Sequence, residues 1–172
     1  IGRFVEKARS HPWFGRTVFV FVADHSSIAR GRSDLPMDRF HIPMVVWAPG
    51  LVAPQRIDAL ASQIDVAPTL LGLLNVSYVS EFFGRDVLRD AEVPPSLFMA
   101  NYQTVGFVGE GEQVELRPRR ATRVVPTDGG AHDARLEQAA LEEGIAFYQV
   151  AAERFSSRHS ADPAPARPGG HF

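Results

Sequence analysis

Apolar and polar positions fall along the chain in blocks whose period changes several times. Ile1, Phe4, Val5 and Ala8 recur at helical spacing, with Arg3, Glu6, Lys7 and Arg9 elsewhere, so residues 1–10 read as an amphipathic helix closed near Pro12. Residues 17–23, TVFVFVA, are apolar in both phases, the pattern of a central strand covered on two faces. A polar loop follows over residues 25–40, with Gly31, Ser33, Asp34 and Pro36. Residues 42–48 form a second apolar run that Pro49-Gly50 stops, and Pro43 falls among its first residues, where a missing N–H is tolerated. In QIDVAPTLLGLLNVS, Asp65 stands as a helix N-cap and Pro68 lies in the first turn. Leu70, Leu71, Leu73 and Leu74 then form the buried side of a short helix that ends near Asn75.

After a turn at Phe83-Gly84, three short segments follow at 96–102, 104–109 and 113–117, the last two separated by GEGEQ as in a hairpin. A second amphipathic helix over about 134–155 carries Leu136, Ala140, Leu141, Ile145, Phe147, Tyr148 and Ala151. The end, SSRHSADPAPARPGGHF, is rich in Pro, Ala and Gly, and disorder is expected over 157–172. There is no internal repeat. Helix, strand, loop, strand, helix, hairpin, helix is an α/β order.

Composition narrows the function classes. With 45% apolar and 22% charged residues, the 172-residue chain has the make-up of a globular domain with a real core. Lys and Arg number 18 against 20 Asp and Glu, a net charge of −2 without long blocks of one sign, so no nucleic-acid partner is expected. No run approaches the length of a membrane span. Residues 1–16 do not have the basic start and apolar run of a secretory signal. The first residue is Ile1, which fits a piece of something longer. Without Cys, disulfides, thiolate metal sites and a Cys nucleophile are excluded within these residues.

The chemistry concentrates where the first strand ends, in VFVFVADHSS. Open α/β sheets place ligands at the carboxyl ends of their strands, and Asp24 and His25 stand at such an end. A carboxylate and a neutral imidazole are good ligands for Zn²⁺ or Mn²⁺. An ionised Asp at the edge of an apolar core is also costly unless paired or metal-bound. Spacing alone leaves a second reading open, in which Asp24 caps the following turn and His25 is a loop residue. A divalent site needs at least three protein groups, and no other such pair stands nearby in the sequence.

Three segments together carry a family resemblance: TVFVFVADHSS, HIPMVVWAPG and SQIDVAPTLLGLL, with FFGRDVL at 82–88 as a closing Gly-containing segment. Their order and separation resemble the C-terminal part of the sulfatase and lipoteichoic-acid-synthase-like branch of the alkaline phosphatase superfamily. The resemblance is strong over residues 1–90 and thinner beyond. It implies an α/β fold: part of an alkaline-phosphatase-like sheet covered by helices, with a small C-terminal α+β subdomain. The expected division is 1–90 for the catalytic portion, 91–156 for the hairpin-and-helix subdomain, and 157–172 for the tail.

Carried over residue by residue, the resemblance makes Asp24 and His25 ligands of a divalent metal (Mn, Zn, Mg or Ca). His41, in the basic position ahead of Pro43, becomes a substrate-binding candidate, with a loop histidine packed near the strand as the other reading. Asp65, Pro68 and Thr69 match a D-x-x-P-T pattern and read as structural, and Arg30 and Arg32 read as a solvated loop. The family's nucleophile and a further acidic ligand belong upstream of these motifs, and none of Thr17, Thr69, Thr104, Thr122 or Thr127 lies in a nucleophile context. This chain is therefore expected to supply half of a metal site and to be inactive alone. For the full-length parent, the resemblance implies a phosphoglycerol-transferase-like enzyme acting on membrane lipid or a related anionic ester. The alternatives are a sulfate-ester hydrolase and a non-catalytic domain that retains the fold. It also implies an extracytoplasmic (periplasmic) catalytic domain at the inner membrane, held there by upstream segments.

Overall fold

The structure is a computed structural model that describes residues 1–26, 35–90, 92–109, 111–131 and 133–161. Arg30 and Arg32 lie outside the described residues. Helix α1 spans Gly2–Ala8 and is followed by a 3-10 turn, Phe14–Arg16. Strand β1 (Phe19–Val22) pairs antiparallel with β2 (Met44–Trp47), Phe19 opposite Trp47 and Val22 opposite Met44. Phe19 anchors this pair: it is buried, and its ring meets those of Phe4, Phe14, Phe21 and Trp47. One expectation changes here. TVFVFVA is not covered on both faces within this chain: among the described residues β1 pairs only with β2, and Val22, Met44 and Val45 remain exposed.

Helix α2 (Val66–Leu73) follows a 3-10 turn, Gln63–Asp65. Asp65 stands at the N-cap of α2 as expected, but its side chain makes no cap hydrogen bond to that helix; Ser62 is the N-cap of the 3-10 turn. Ser62 and Asp65 form a reciprocal capping box, in which the Ser62 N–H donates to Asp65 Oδ2 at 2.8 Å. Asp65 is free for this because Pro68, the third residue of α2, has no N–H for it to cap. Its other oxygen, Oδ1, accepts the Arg85 N–H at 2.9 Å, so a buried carboxylate joins the helix entry to the FFGRDVL segment. The buried side of α2 also differs from the leucine face expected: Pro68, Thr69 and Gly72 are buried, and Leu74 is exposed.

That face is small because FFGRDVL lies directly on it. A β-carbon at Gly84 would overlap the Ile64 carbonyl, and one at Gly72 would overlap the Asp86 carboxylate. Thr69 Oγ1 accepts the Val87 N–H at 3.1 Å and donates to the Arg85 carbonyl at 3.4 Å. The Arg85 guanidinium donates to the carbonyls of Asp90 and Leu60 at 2.9 and 3.1 Å.

Four antiparallel strands make the second sheet, in the order β3 (Leu97–Ala100), β4 (Val105–Gly109), β5 (Glu112–Arg117), β6 (Ala121–Pro126). The first three match the expected segments, whereas β6, with Thr122, Arg123, Val124 and Val125, was not expected. Its ATRV start gives a single alternation among arginines, too weak a pattern to mark a strand, and pairing along the whole of β5 decides the structure.

One face packs on helix α3 (Ala134–Ala161) through Phe107, Val114 and Ala140, with Phe98, Leu141 and Phe147 around them. The other face buries Leu35, Leu97, Met99 and Val108. Gln113 fixes this second layer by donating to the Leu35 carbonyl at 2.7 Å. Buried Glu115 is paired with Arg117 at 2.6 Å and Arg123 at 3.5 Å. Helix α3 runs on through Ala161, so residues 157–161 of the expected tail are helical, and 162–172 lie outside the described residues. Along it, Phe147 meets Phe83, and Arg154 stacks over the Phe83 ring while donating to the Glu81 carbonyl at 3.2 Å. No helix is long and apolar enough to cross a membrane among the described residues.

Candidate functional site

β1 delivers Asp24 and His25 into an open groove of about 870 Å³. Asp24 Oδ1 accepts the His25 N–H at 2.9 Å, which folds the carboxylate back over the imidazole. The ring's Nδ1 lies 2.8 Å from the Ser26 carbonyl. That bond takes the proton on Nδ1, and in the neutral tautomer this leaves the Nε2 lone pair free, the arrangement that orients metal-ligating histidines. His25 Nε2 then faces Asp24 Oδ2 at 3.5 Å. Two ligand atoms each about 2.0–2.2 Å from one tetrahedral ion stand roughly 3.3–3.6 Å apart, so the pair fits two corners of a divalent site.

The burial expected for Asp24 is corrected by the structure. The side chains of Asp24 and His25 are 87% and 75% exposed, because β1 ends at the groove and no described element covers its exit. The cost of burying a carboxylate therefore does not support the metal reading within this chain; the donor geometry does. Among the described residues, no group of three His, Cys, Asp or Glu side chains is close enough together to hold an ion.

His41 lines the same groove, as do Asp38 and Arg56. The structure therefore brings all three sequence-predicted site residues to one surface. Asp65, Pro68 and Thr69 lie behind it in the α2 clamp, where their hydrogen bonds and burial are structural.

Sequence reasoning missed the groups that hold the strand exit in place. Gln63 Nε2 donates to the carbonyls of Ala23 and Asp24 at 2.9 and 3.0 Å. The Ser62–Asp65 capping box fixes the turn that carries Gln63, so the D-x-x-P-T motif positions Asp24 through one amide. Ser26 Oγ donates to the Arg39 carbonyl and holds the other side of the pair. Neither partner is legible from the sequence. Gln63 stands beside the motif, but its acceptors are about forty residues away in the chain.

Residues 1–76 match the family model described as sulfatase. A solved structure of a protein in the alkaline phosphatase superfamily from Vibrio parahaemolyticus is 25% identical, with a TM-score of 0.64 over 86% of this chain and 39% of that one. Residues 1–76 are thus similar to the sulfatase family. Arylsulfatase K of Gallus gallus is 25% identical over 93 residues, covering 51% of this chain and 17% of that protein. The lipoteichoic acid synthase-like protein YvgJ of Bacillus subtilis (strain 168) is 26% identical over 108 residues, 53% of this chain and 18% of that protein. The structure of Ps i-CgsB, 17% identical with a TM-score of 0.55, shares the fold. The chain spans under a fifth of the length of these two curated relatives.

Proposed function

We propose that this chain supplies two metal ligands, Asp24 and His25, to a sulfatase-family centre that transfers or hydrolyses an anionic phosphate or sulfate ester. The observation that carries the reading is the 3.5 Å approach of Asp24 Oδ2 and His25 Nε2, with Nδ1 held by the Ser26 carbonyl. Two lone-pair atoms facing each other repel unless a proton or a cation lies between them. A divalent ion held by Asp24 and His25 would lower the pKa of a nucleophile and offset charge on the group transferred. The chain's own contributions are orientation and charge: Asp24 adds a negative charge, His25 a neutral donor, and Gln63 holds the backbone that carries both. His41, which lines the same groove, would donate a hydrogen bond to an ester oxygen.

Phospho-group transfer of the phosphoglycerol type, to or from membrane lipid, is the reading favoured by similarity to the lipoteichoic acid synthase-like relative. Sulfate-ester hydrolysis is the second reading, favoured by the sulfatase family match and by arylsulfatase K. With the nucleophile and a further ligand contributed from outside these residues, the centre would face the extracytoplasmic side. The test uses the full-length protein. Asp24→Ala and His25→Ala should each abolish turnover that depends on a divalent metal, and wild-type activity in either variant would overturn the assignment. Comparing an aryl sulfate with a glycerophosphodiester as substrate separates the two readings.

A further inference from the structure

The four-stranded sheet turns twice at one end. Residues 101–104 join β3 to β4 and residues 118–120 join β5 to β6, and the antiparallel order puts both tips on the same edge. Ala100, Val105, Leu116 and Thr122 form one row across the sheet just behind them.

The first tip presents Tyr102, which is 96% exposed. Asn101 holds that turn rigidly. Its Oδ1 accepts the N–H groups of Gln103 and Thr104 at 3.0 and 2.9 Å, and its own N–H donates to the Thr104 carbonyl at 3.0 Å. The second tip carries Arg119 and Arg120, both in the left-handed region with φ of 62° and 60°. Both left-handed positions favour Asn or Gly, because a β-carbon there crowds the backbone. Arginines hold the tip instead, and neither makes an ion pair or hydrogen bond among the described residues. Arg117 and Arg123 stand at its base and share the Glu115 carboxylate, which leaves the two tip guanidinium groups without an acid partner among the described residues.

We infer that this end of the sheet docks on an anionic phospholipid surface. A tyrosine ring has an apolar body and a polar tip, which suits the headgroup layer of a bilayer. Guanidinium groups pair bidentately with phosphate oxygens. With the chain at −2 overall, the attraction belongs to this edge and not to the whole molecule. The inference does not depend on the metal reading of Asp24 and His25.

Sedimentation of the chain with lipid vesicles tests it. Binding is expected to vesicles containing phosphatidylglycerol, to be absent on pure phosphatidylcholine, and to weaken as salt is raised. Arg119→Asn combined with Arg120→Gly removes two charges and supplies the residues the turn favours. Vesicle affinity should fall roughly thirtyfold while Tm stays level or rises, which separates lost binding from lost folding. Tyr102→Ser should weaken binding further. Equal binding to both vesicle types, no binding to either, or wild-type binding by the double variant would overturn the inference. So would displacement by millimolar inorganic phosphate, which marks a free-anion site, or tighter binding to an oligonucleotide than to phosphatidylglycerol vesicles at the same salt.

Discussion

The two sheets of this chain are built on different principles. The four-stranded sheet closes its own core: Phe107, Val114 and Ala140 are buried between strands and α3, and Leu35 and Met99 are buried on the far face. The two-stranded sheet does not. Phe19 is its one buried strand residue, Val22 and Val45 face outward, and order comes instead from polar ties around Asp65, Thr69 and Gln63. The candidate chemistry sits on the second kind of region. Apolar packing tolerates small displacements, whereas a carboxylate or amide with fixed partners sets a strand exit to within a fraction of an ångström.

Four changes would break or sharpen that contrast. The largest effect belongs to the closed core. Phe107→Ala should destabilise by about 3–5 kcal/mol, because it removes a ring fully enclosed by Phe98 and Phe147; denaturant unfolding followed by circular dichroism would register it. A loss below about 1 kcal/mol would mean that this sheet is not the stable partner.

Asp65→Ala comes next. Removing it leaves the Ser62 and Arg85 N–H groups without their acceptor, at about 1–3 kcal/mol. Hydrogen exchange should accelerate at Arg85 and Val87 while the Phe107 core stays protected. Equal loosening of both sheets would show that they unfold as one unit.

Adding Mn²⁺ or Zn²⁺ probes the same region from the other side. If Asp24 and His25 hold an ion, the full-length protein gains about 2.7 kcal/mol at a metal concentration a hundred times Kd, and His25→Ala loses the gain. A Tm that is indifferent to metal would support the non-catalytic reading. Gln63→Leu should be mildest for stability, under about 1 kcal/mol, since the freed carbonyls rehydrate. Its metal affinity should nevertheless fall about tenfold, measurable by calorimetry, if the amide orients the pair.

Much of this was legible in the sequence, unevenly. The strand at VFVFV, the Asp24-His25 exit, the helix after Pro68 and the helix with Phe147 follow from periodicity and from proline and glycine placement. The β6 strand did not, because pairing with β5 rather than its own alternation holds it in register. Asp65 holds the N-cap position of the following helix that the pattern predicts, but its side chain completes a box begun by Ser62 and reaches Arg85. Local pattern identifies a residue's type of work, and only the fold names its partner. His41 shows the same limit: its place near a proline was visible, and its sharing of a groove with Asp24 was not.

Helix α3 extends this contrast. Its 28 residues cover about 42 Å, against about 20 Å for a six-residue strand, so it overhangs the sheet it packs on. In the overhang, Arg154 grips the Glu81 carbonyl and the Phe83 ring, one residue before Gly84 closes on α2. The helix is thus a tie-rod between the self-sufficient sheet and the region bearing the candidate ligands. A cut after residue 150 would leave the sheet and its core in place but release the segment that Gly84 presses against Ile64. Damage at the far C-terminal side would then be felt about 130 residues earlier in the chain, as slack around Asp24 and His25.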